Sequence, residues 1–449
     1  MSCFKMFAKY SFFNVLGMLC LSCYILADTF FVSKGFGANG LTALNLVIPI
    51  YSFIYGSGLL FGIGGATKYS ILRSQNEKSS ANRVFTNTVF LALCLATVFC
   101  VIGIFFSESV TQILGADETV LQMGTTYLRV LLLFAPLIML NNVFLCFIRN
   151  DGAPQLAMFA MITGSFSNVL LDYVFIFSLK MGFFGAAFAS GIAQIVSLLV
   201  ISSFFLRKKN NFHFVKNIFG RLISKDIISN GLPSLITETS SGVIMIVFNM
   251  IILNLQGNVG VAAYGIIANL SLVVIAIYTG IAQGIQPLIS SNYGTNNHTN
   301  VKTILRYAII TMTIISGIIY ICIFFNATPL VNAFNYEQNI LLQNTATTGL
   351  KIYFITCLFT GLNIILSIYF TSTEHARPAH IITALRGFLI IIPMAFLLST
   401  IGGMIGIWLV FPTTELIVSI IGITLYYFKK KNVILNNQIK NKTKNSLSV

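Results

Sequence analysis

The chain carries about twelve long apolar runs, separated by short polar loops. A helix of about 20 apolar residues crosses the hydrocarbon core of a bilayer, and each run reaches roughly that length. Charged residues make up only 9% of the chain and hydrophobic residues 56%, which leaves too little charge to cover a soluble protein of this length. The sequence therefore predicts an all-α polytopic membrane protein. The predicted transmembrane helices lie near residues 10–33, 41–72, 84–106, 123–148, 155–178, 183–206, 228–255, 260–292, 302–325, 345–371, 378–399 and 401–428.

Basic residues cluster in alternate loops, as the positive-inside rule requires of cytoplasmic loops. This placement explains the net charge of +15, so no nucleic-acid partner is expected. Both termini are predicted to be cytoplasmic, with an even number of spans between them. The basic set includes Lys5, Lys9, Arg73, Lys78, Arg83, Arg149, Arg207, Lys208, Lys209, Arg306 and Lys429–Lys431. The intervening loops carry Lys34 and Lys180 with the acidic residues Glu108, Asp117, Glu118 and Glu337.

The second half of the chain repeats the first. The matched positions are Gly40–Ala43 with Gly260–Ala263, Gly64 with Gly284, Ser70 with Ser290, and Asn76 with Asn296. Parallel repeats of this kind are related by an axis along the membrane normal, and transport sites lie between them near the midplane. We therefore predict two pseudo-symmetric six-helix lobes around a central cavity. Residues 1–206 form the N-terminal lobe, 207–227 a cytoplasmic basic linker, 228–428 the C-terminal lobe and 429–449 a cytoplasmic tail.

Two carboxylates lie within predicted spans, where an ionisable residue costs roughly 2.5–3.5 kcal/mol and usually serves a function. Asp28 lies near the end of the first span and Asp172 inside the fifth. Tyr24 and Asn168 each lie four residues earlier, so each pair shares one helical face. Their oxygens suit a hard cation such as Na⁺, and a buried carboxylate can instead hold a proton. An isolated Asn or Ser within a span is better interpreted as a structural hydrogen bond between helices. Two aspartates with amide partners are better interpreted as functional.

The C-terminal lobe has polar residues of its own inside predicted spans. Glu238 lies early in the seventh span and Glu415 in the twelfth. Together with Asn249 and Gln283, they are candidates for a substrate or proton site. Arg386, about two turns into the eleventh span, either reaches towards the cytoplasm or pairs with a carboxylate, and we assign it a structural role.

Residues for covalent chemistry or ATP hydrolysis are not evident in the sequence. The chain has no P-loop, and its histidines lack the spacing of zinc ligands. No nucleophile–base pair is apparent, and the C-x-x-C of Cys20 and Cys23 inside the first span is typical of small packing residues. The prediction is that the chain is not an enzyme and needs no cofactor beyond a coupling ion, Na⁺ or H⁺.

Four segments, taken in order, resemble the signatures of one known family. Tyr24-Ile-Leu-Ala-Asp28-Thr-Phe-Phe-Val resembles a first-helix signature, and Asn168-Val-Leu-Leu-Asp172-Tyr-Val-Phe a fifth-helix signature. The loop before the fifth helix and the entry to the seventh are matched by Arg149-Asn-Asp-Gly-Ala-Pro154 and Gly231-Leu-Pro233. Each motif is weak, but their order and spacing cover nearly the whole chain. Together they resemble the multidrug and toxic compound extrusion (MATE) transporters. Within that family, the resemblance is to the bacterial multidrug-efflux subgroup.

The resemblance implies a cation-coupling site in the N-terminal lobe. The residues that match this site are Tyr24, Asp28, Asn168, Asp172 and Ser190, the last standing where the family has Thr. Asn141 or Asn142 matches a fourth-helix Asn, and Asn142 is included in the predicted site. Glu238 resembles a seventh-helix Glu that is functional in some relatives. Phe13 stands where family members often have a proline, so the resemblance does not extend to a proline-dependent bend of the first helix.

The predicted function is secondary antiport in the bacterial plasma membrane, with organic cations or drugs exported in exchange for Na⁺ or H⁺. Mostly acidic charges inside the spans favour cationic substrates. The alternative is a lipid-linked oligosaccharide flippase of the same superfamily, which needs a cationic cavity for pyrophosphate. A non-transporting scaffold or sensor would not need paired carboxylates. The expected partners are small-molecule organic cations and membrane lipid, and the chain is expected to act as a monomer.

Overall fold

The computed structural model describes residues 2–216, 220–335 and 338–446, and within these ranges the chain is helical with no β-strand. Glu337, which the sequence places in one of the intervening loops, lies outside these described ranges. The helices long and apolar enough to cross a membrane are Cys3–Gly37, Asn39–Ser74, Lys78–Phe105, Pro154–Ser178, Gly182–Leu206, Arg221–Gly294, His298–Asn332, Ile340–Ser372 and Ala376–Lys429. A bent pair, Glu118–Leu133 and Ala135–Asn150, turns by 49° and forms one further span. The predicted all-α membrane class is confirmed.

Two of the helical stretches each contain two spans. Arg221–Gly294 is 74 residues long and departs from helical geometry at Gly257, and the stretch Ala376–Lys429 does so at Gly403. Each glycine has a positive φ, which costs little without a Cβ atom. The chain turns there from one span into the next, as it does at Gly37 between the first two spans. Counted in this way, the described residues contain the twelve predicted spans.

The backbone repeats between the two halves. Gly37 has φ 64° and ψ −151°, and Gly257 has φ 62° and ψ −155°. Asn76 and Asn296, which the sequence repeat matches, have positive φ values of 65° and 58°. Both pairs keep the spacing that separates Gly40 from Gly260, so the predicted repeat is a repeat of structure as well as of sequence.

Each half has its own hydrophobic core. The core of the first half includes the fully buried Phe85 and Phe147, and that of the second half includes Phe248 and Trp408. Phe212, from the predicted linker, is fully buried against the first core. The helix of the seventh span begins at position 221, before the predicted span at 228, because polar residues remain helical outside the hydrocarbon. The domain boundaries stay a prediction.

The two halves contact each other at one end of the bundle. Lys68 of the second span lies 3.0 Å from Asp226 and 2.7 Å from Glu374, both of the second half. These ion pairs link the halves beside the loops that carry most of the positive charge. We call this end the basic end, and it is defined by Arg73, Lys78, Arg149, Arg207, Arg221 and Lys302.

Glycines allow the spans to touch at the basic end. A Cβ atom on Gly231 would lie 1.8 Å from the backbone oxygen of Leu60, and one on Gly64 would lie 2.0 Å from that of Ile227. Gly284, the repeat partner of Gly64, packs in the same way against the backbone of the first span. The second span therefore meets the seventh, and the eighth meets the first, through backbone contacts that a larger residue would prevent.

Candidate functional site

Asp28 and Asp172 meet inside the N-terminal lobe. Asp28, on the first span, is 9% exposed, Asp172, on the fifth, is fully buried, and the two carboxyl groups are close enough to interact. The spans approach here because Gly35 has no side chain, and a Cβ atom on it would lie 2.7 Å from Ile176. Ile176 belongs to a π-helical turn, Val174–Ser178, which begins just after Asp172. Such turns are frequent at functional sites.

Four oxygen atoms of this region are buried without a hydrogen-bond donor in the described part of the chain. They are Oδ1 of Asp28, both carboxylate oxygens of Asp172 and Oδ1 of Asn168. A buried carboxylate without a partner is strongly unfavourable, so it is normally neutralised by a proton or a cation. The arrangement therefore has the chemistry of a site for Na⁺ or for a proton.

Ser190 and Tyr127 lie beside the carboxylates. The amide nitrogen of Asn168 donates to Ser190 Oγ at 3.2 Å, an orientation that leaves Asn168 Oδ1 available to a cation. The phenol of Tyr127 is within hydrogen-bonding reach of Ser190 and within electrostatic reach of both aspartates. Sequence reasoning missed Tyr127 because tyrosine is common in membrane proteins and nothing in its spacing marks it.

Tyr24 and Asn142 line a cavity that adjoins the carboxylates. Tyr24 is within electrostatic reach of Asp28, but its hydroxyl shares a 2.9 Å hydrogen bond with Tyr51, whose ring stacks on Tyr55. Asn142 donates to a backbone oxygen of its own helix at 3.2 Å. The cavity has about 450 Å³ of open space. It is also lined by Leu21, Asn141, Leu145, Met161, Asn168 and Gln194.

Glu238 faces the N-terminal lobe. Its carboxyl group acts electrostatically on Tyr51 and Tyr55. The seventh span comes close at this point, since a Cβ atom on Gly56 would lie 2.9 Å from the Glu238 side chain. No basic side chain pairs with Glu238 within the described ranges. Glu238 therefore adds a further acidic group between the two lobes.

Glu415 is in a different situation, because its charge is compensated. Arg386 donates to Glu415 Oε1 from Nη2 at 2.8 Å and from Nε at 3.1 Å. Asn363 donates to Glu415 Oε2 at 2.6 Å. Arg386 thus pairs with a carboxylate, one of the two roles expected of it.

The structure does not bring the four predicted residues of the C-terminal lobe into one site. Gln283 lies at the basic end, where it accepts a hydrogen bond from Arg149. Asn249 is half-buried on the seventh span and has no side-chain hydrogen bond within the residues described. Glu238 faces the other lobe and Glu415 is held by Arg386. The four residues were grouped because each lies within a predicted span. In the folded chain they are not neighbours.

Two repeated helical lobes, a buried carboxylate pair and an adjoining cavity define a polytopic membrane protein with the architecture of secondary transporters. A sequence profile of the MatE family matches residues 15–174 and 233–397. The chain therefore belongs to the MatE family and is a MATE-family efflux transporter, which confirms the resemblance found in the sequence. Members of this family are transporters rather than enzymes and need no cofactor.

Relatives match along nearly the whole chain. It is 28% identical over 410 residues to the multidrug export protein MepA of Staphylococcus saprophyticus subsp. saprophyticus, covering 90% of this chain and 89% of that protein. It is 26% identical over 408 residues to MepA of Staphylococcus aureus strain MRSA252, with the same coverage. An outward-facing structure of a multidrug resistance MATE family transporter of the MOP superfamily has a TM-score of 0.89, with 24% identity and 96% of each chain covered. This likeness confirms the fold.

Proposed function

We propose that the protein is a secondary antiporter that exports organic cations in exchange for Na⁺ or H⁺ by alternating access. The observation that carries the proposal is the group of buried, unpartnered oxygens on Asp28, Asp172 and Asn168. Such a group is stable when it holds a cation or proton and unstable when it is empty. Exchange follows when the coupling ion and the substrate neutralise the same carboxylates in turn.

Cationic substrates fit the charges between the lobes. Asp28, Asp172 and Glu238 have no basic partner within the described residues, and attraction to a cation is strengthened in a low-dielectric cavity. The curated relatives carry the name multidrug export protein, which supports a range of small-molecule substrates. No Lys or Arg is among the described residues that line the N-terminal cavity, whereas a flippase for pyrophosphate-linked sugars needs such charges.

The same proposal places the protein in the bacterial plasma membrane. Its basic end and both termini face the cytoplasm, since positive loops remain on that side. Its relatives are bacterial proteins. The chain works as a monomer with organic cations and membrane lipid as its partners, without nucleic acid and without a cofactor other than the coupling ion.

Transport of ethidium into proteoliposomes, driven by a Na⁺ gradient alone or by a pH gradient alone, tests the proposal. The wild type should transport under at least one of the two gradients, which also identifies the coupling ion. Asp172→Asn and Asp28→Asn should each reduce gradient-driven transport by about tenfold or more, because an amide neither binds a proton nor supplies charge to Na⁺.

Glu108→Gln is the matched control, because Glu108 is an exposed carboxylate outside the spans. It should transport like the wild type. The proposal is wrong if neither gradient drives transport in the wild type, or if the two aspartate variants transport as well as Glu108→Gln.

A further inference from the structure

A polar triad of the N-terminal lobe is repeated in the C-terminal lobe. In the C-terminal lobe, Asn363 donates to Glu415 Oε2 at 2.6 Å and accepts from Ser419 at 3.1 Å. In the N-terminal lobe, the corresponding asparagine donates at 2.8 Å to a glutamine and accepts at 2.8 Å from a serine. The residues of this first triad are Asn141, Gln194 and Ser197. Both triads connect the fourth and sixth spans of their lobe.

The two triads differ in charge. Gln194 of the first lobe is replaced by Glu415 in the second, and the extra negative charge is matched by Arg386. Arg386 lies in a π-helical turn, Leu385–Leu389, the counterpart of the turn after Asp172. Removing either member of such a pair leaves an unpaired buried charge, whereas a neutral amide at both positions would avoid that cost. A triad that only joins the helices of the C-terminal lobe could therefore be neutral, as it is in the N-terminal lobe. The Arg386–Glu415 ion pair is not needed for that purpose.

The ion pair lines a cavity of the C-terminal lobe that is walled by aromatic and hydroxyl side chains. Arg386 uses two of its five N–H groups on Glu415 and has no other acceptor within the described residues. Glu415, by contrast, already accepts from three donors. The ion pair therefore presents unused donors to the cavity. The walls include Ser271, Tyr278, Tyr353, Phe354, Thr356 and Phe411.

We propose that this cavity of the C-terminal lobe is a second ligand subsite, in which Arg386 binds the carboxylate of an aromatic zwitterion. The guanidinium offers its free N–H groups to the ligand oxygens, and the aromatic walls pack against the ligand rings. Because Arg386 and Glu415 together carry no net charge, the ligand needs a positive group of its own to stay neutral overall.

This subsite deepens the proposed export of drugs and rests on it. The carboxylate pair of the N-terminal lobe selects positive charge, whereas Arg386 accommodates a negative group on the same molecule. A pure cation gains nothing from Arg386, and a pure anion would be repelled by Glu415 and by Asp28 and Asp172. Substrates with both charges therefore interact favourably with charged groups of both lobes.

Binding of two fluorescent dyes to the purified full chain tests the subsite. Rhodamine 110 has a free carboxylate, and rhodamine 123 is its methyl ester, so the pair differs at the group that Arg386 would contact. In Arg386→Gln with Glu415→Gln, which recreates the neutral amide of the first triad, rhodamine 110 should bind about tenfold more weakly. Rhodamine 123 should change by less than about twofold. Fluorescence anisotropy measures both affinities, and thermal unfolding checks that the variant is folded.

Glu415→Gln alone should strengthen rhodamine 110 binding, because the guanidinium no longer divides its donors between two carboxylates. The subsite is disproved if the double variant weakens both dyes equally, or leaves rhodamine 110 unchanged. Binding is measured without an ion gradient. Failure of gradient-driven ethidium transport would therefore count against antiport while leaving this result interpretable.

Discussion

Ser190 fixes the orientation of an amide beside the buried carboxylates. Its hydroxyl accepts from the amide nitrogen of Asn168 at 3.2 Å, so the amide oxygen stays on the unpartnered side. Without this acceptor, the amide nitrogen would be free to donate to Asp172, which lies one helical turn away. A donated hydrogen bond would then compete with the coupling ion. Under the proposed ion coupling, Ser190 therefore acts on the affinity for the ion.

We expect Ser190→Ala to raise the concentration of coupling ion needed for half-maximal transport by about fivefold, the effect of losing roughly 1 kcal/mol of hydrogen bonding. Ser190→Thr retains the hydroxyl and should behave like the wild type. Initial rates of ethidium transport, measured against Na⁺ concentration or pH, give the half-maximal values. If the alanine and threonine variants behave alike, the hydroxyl does not position Asn168.

The energetic cost of a charge in a span made Asp28 and Asp172 predictable from the sequence. Helical spacing made Asn168 predictable as well. Tyr127 and Tyr51 could not be found in this way, because tyrosine carries no such cost and its contacts depend on how separate spans pack. The sequence thus indicates which residues are expensive to bury, but the supporting residues emerge only from packing.

At the level of the helices, glycine determines how closely the second and seventh spans approach. Gly231 lies against the backbone of Leu60, and Gly64 against that of Ile227. Backbone atoms cannot move aside as a flexible side chain can, so an added methyl group must separate the helices. The contact lies at the basic end, where the two lobes are in contact. Closure of that end therefore depends on these glycines.

Gly231→Ala should lower the stability of the closed arrangement by about 1–3 kcal/mol, the usual cost of overpacking, and reduce ethidium transport. Gly265→Ala is the control, since a Cβ atom there meets nothing within 4 Å. It should match or slightly exceed the wild type in thermal stability, because alanine favours the helix. Thermal unfolding and proteoliposome transport check both variants. Equal behaviour of the two would show that close approach at Gly231 is not required.

Hydropathy predicted the number of spans but not their ends or bends. It reports only residues that cross the hydrocarbon, so helical extensions such as the one beginning at Arg221 were missed. The short helix Ser107–Ile113 is too polar to give a signal. The bend before Ala135–Asn150 coincides with Pro136 near the start of that helix, where proline is tolerated.

At the scale of the whole molecule, polar contacts join the lobes at the basic end. Arg149 of the N-terminal lobe is 4% exposed and donates to Gln283 of the eighth span, while Asn14 of its own lobe orients it by accepting at 2.9 Å. Asn150 donates to Gln286, also of the eighth span, at 2.8 Å. The proposed alternating access requires the contacts to Gln283 and Gln286 to break. Their strength therefore sets how readily the basic end opens.

Composition and the internal repeat were sufficient to predict a two-lobed membrane protein. They did not reveal which residues join the lobes, because such contacts connect parts of the chain that are far apart in sequence. Gln283 illustrates the difficulty. Its position inside a span made it a candidate for substrate or proton binding, but in the folded chain it serves as an acceptor for Arg149.

Arg149→Met should open the basic end more than Lys68→Met does. Arg149 is almost fully buried, and hydrogen bonds from a charged donor contribute about 1.5–3 kcal/mol. Lys68 and Asp226 are 21% and 46% exposed, and ion pairs in such settings contribute about 0–1 kcal/mol. We therefore expect the open population to rise by about tenfold or more in Arg149→Met, and by less than about fivefold in Lys68→Met.

Pulsed electron paramagnetic resonance can measure this opening in a cysteine-free background. Spin labels at Lys78 and Lys302 report the separation of the lobes, because both residues are exposed at the basic end and belong to different lobes. The long-distance population should increase from wild type to Lys68→Met to Arg149→Met. Glu108→Gln, far from the contact, should match the wild type. A larger opening in Lys68→Met than in Arg149→Met would mean that the ion pairs of Lys68, rather than the buried guanidinium, hold the lobes together.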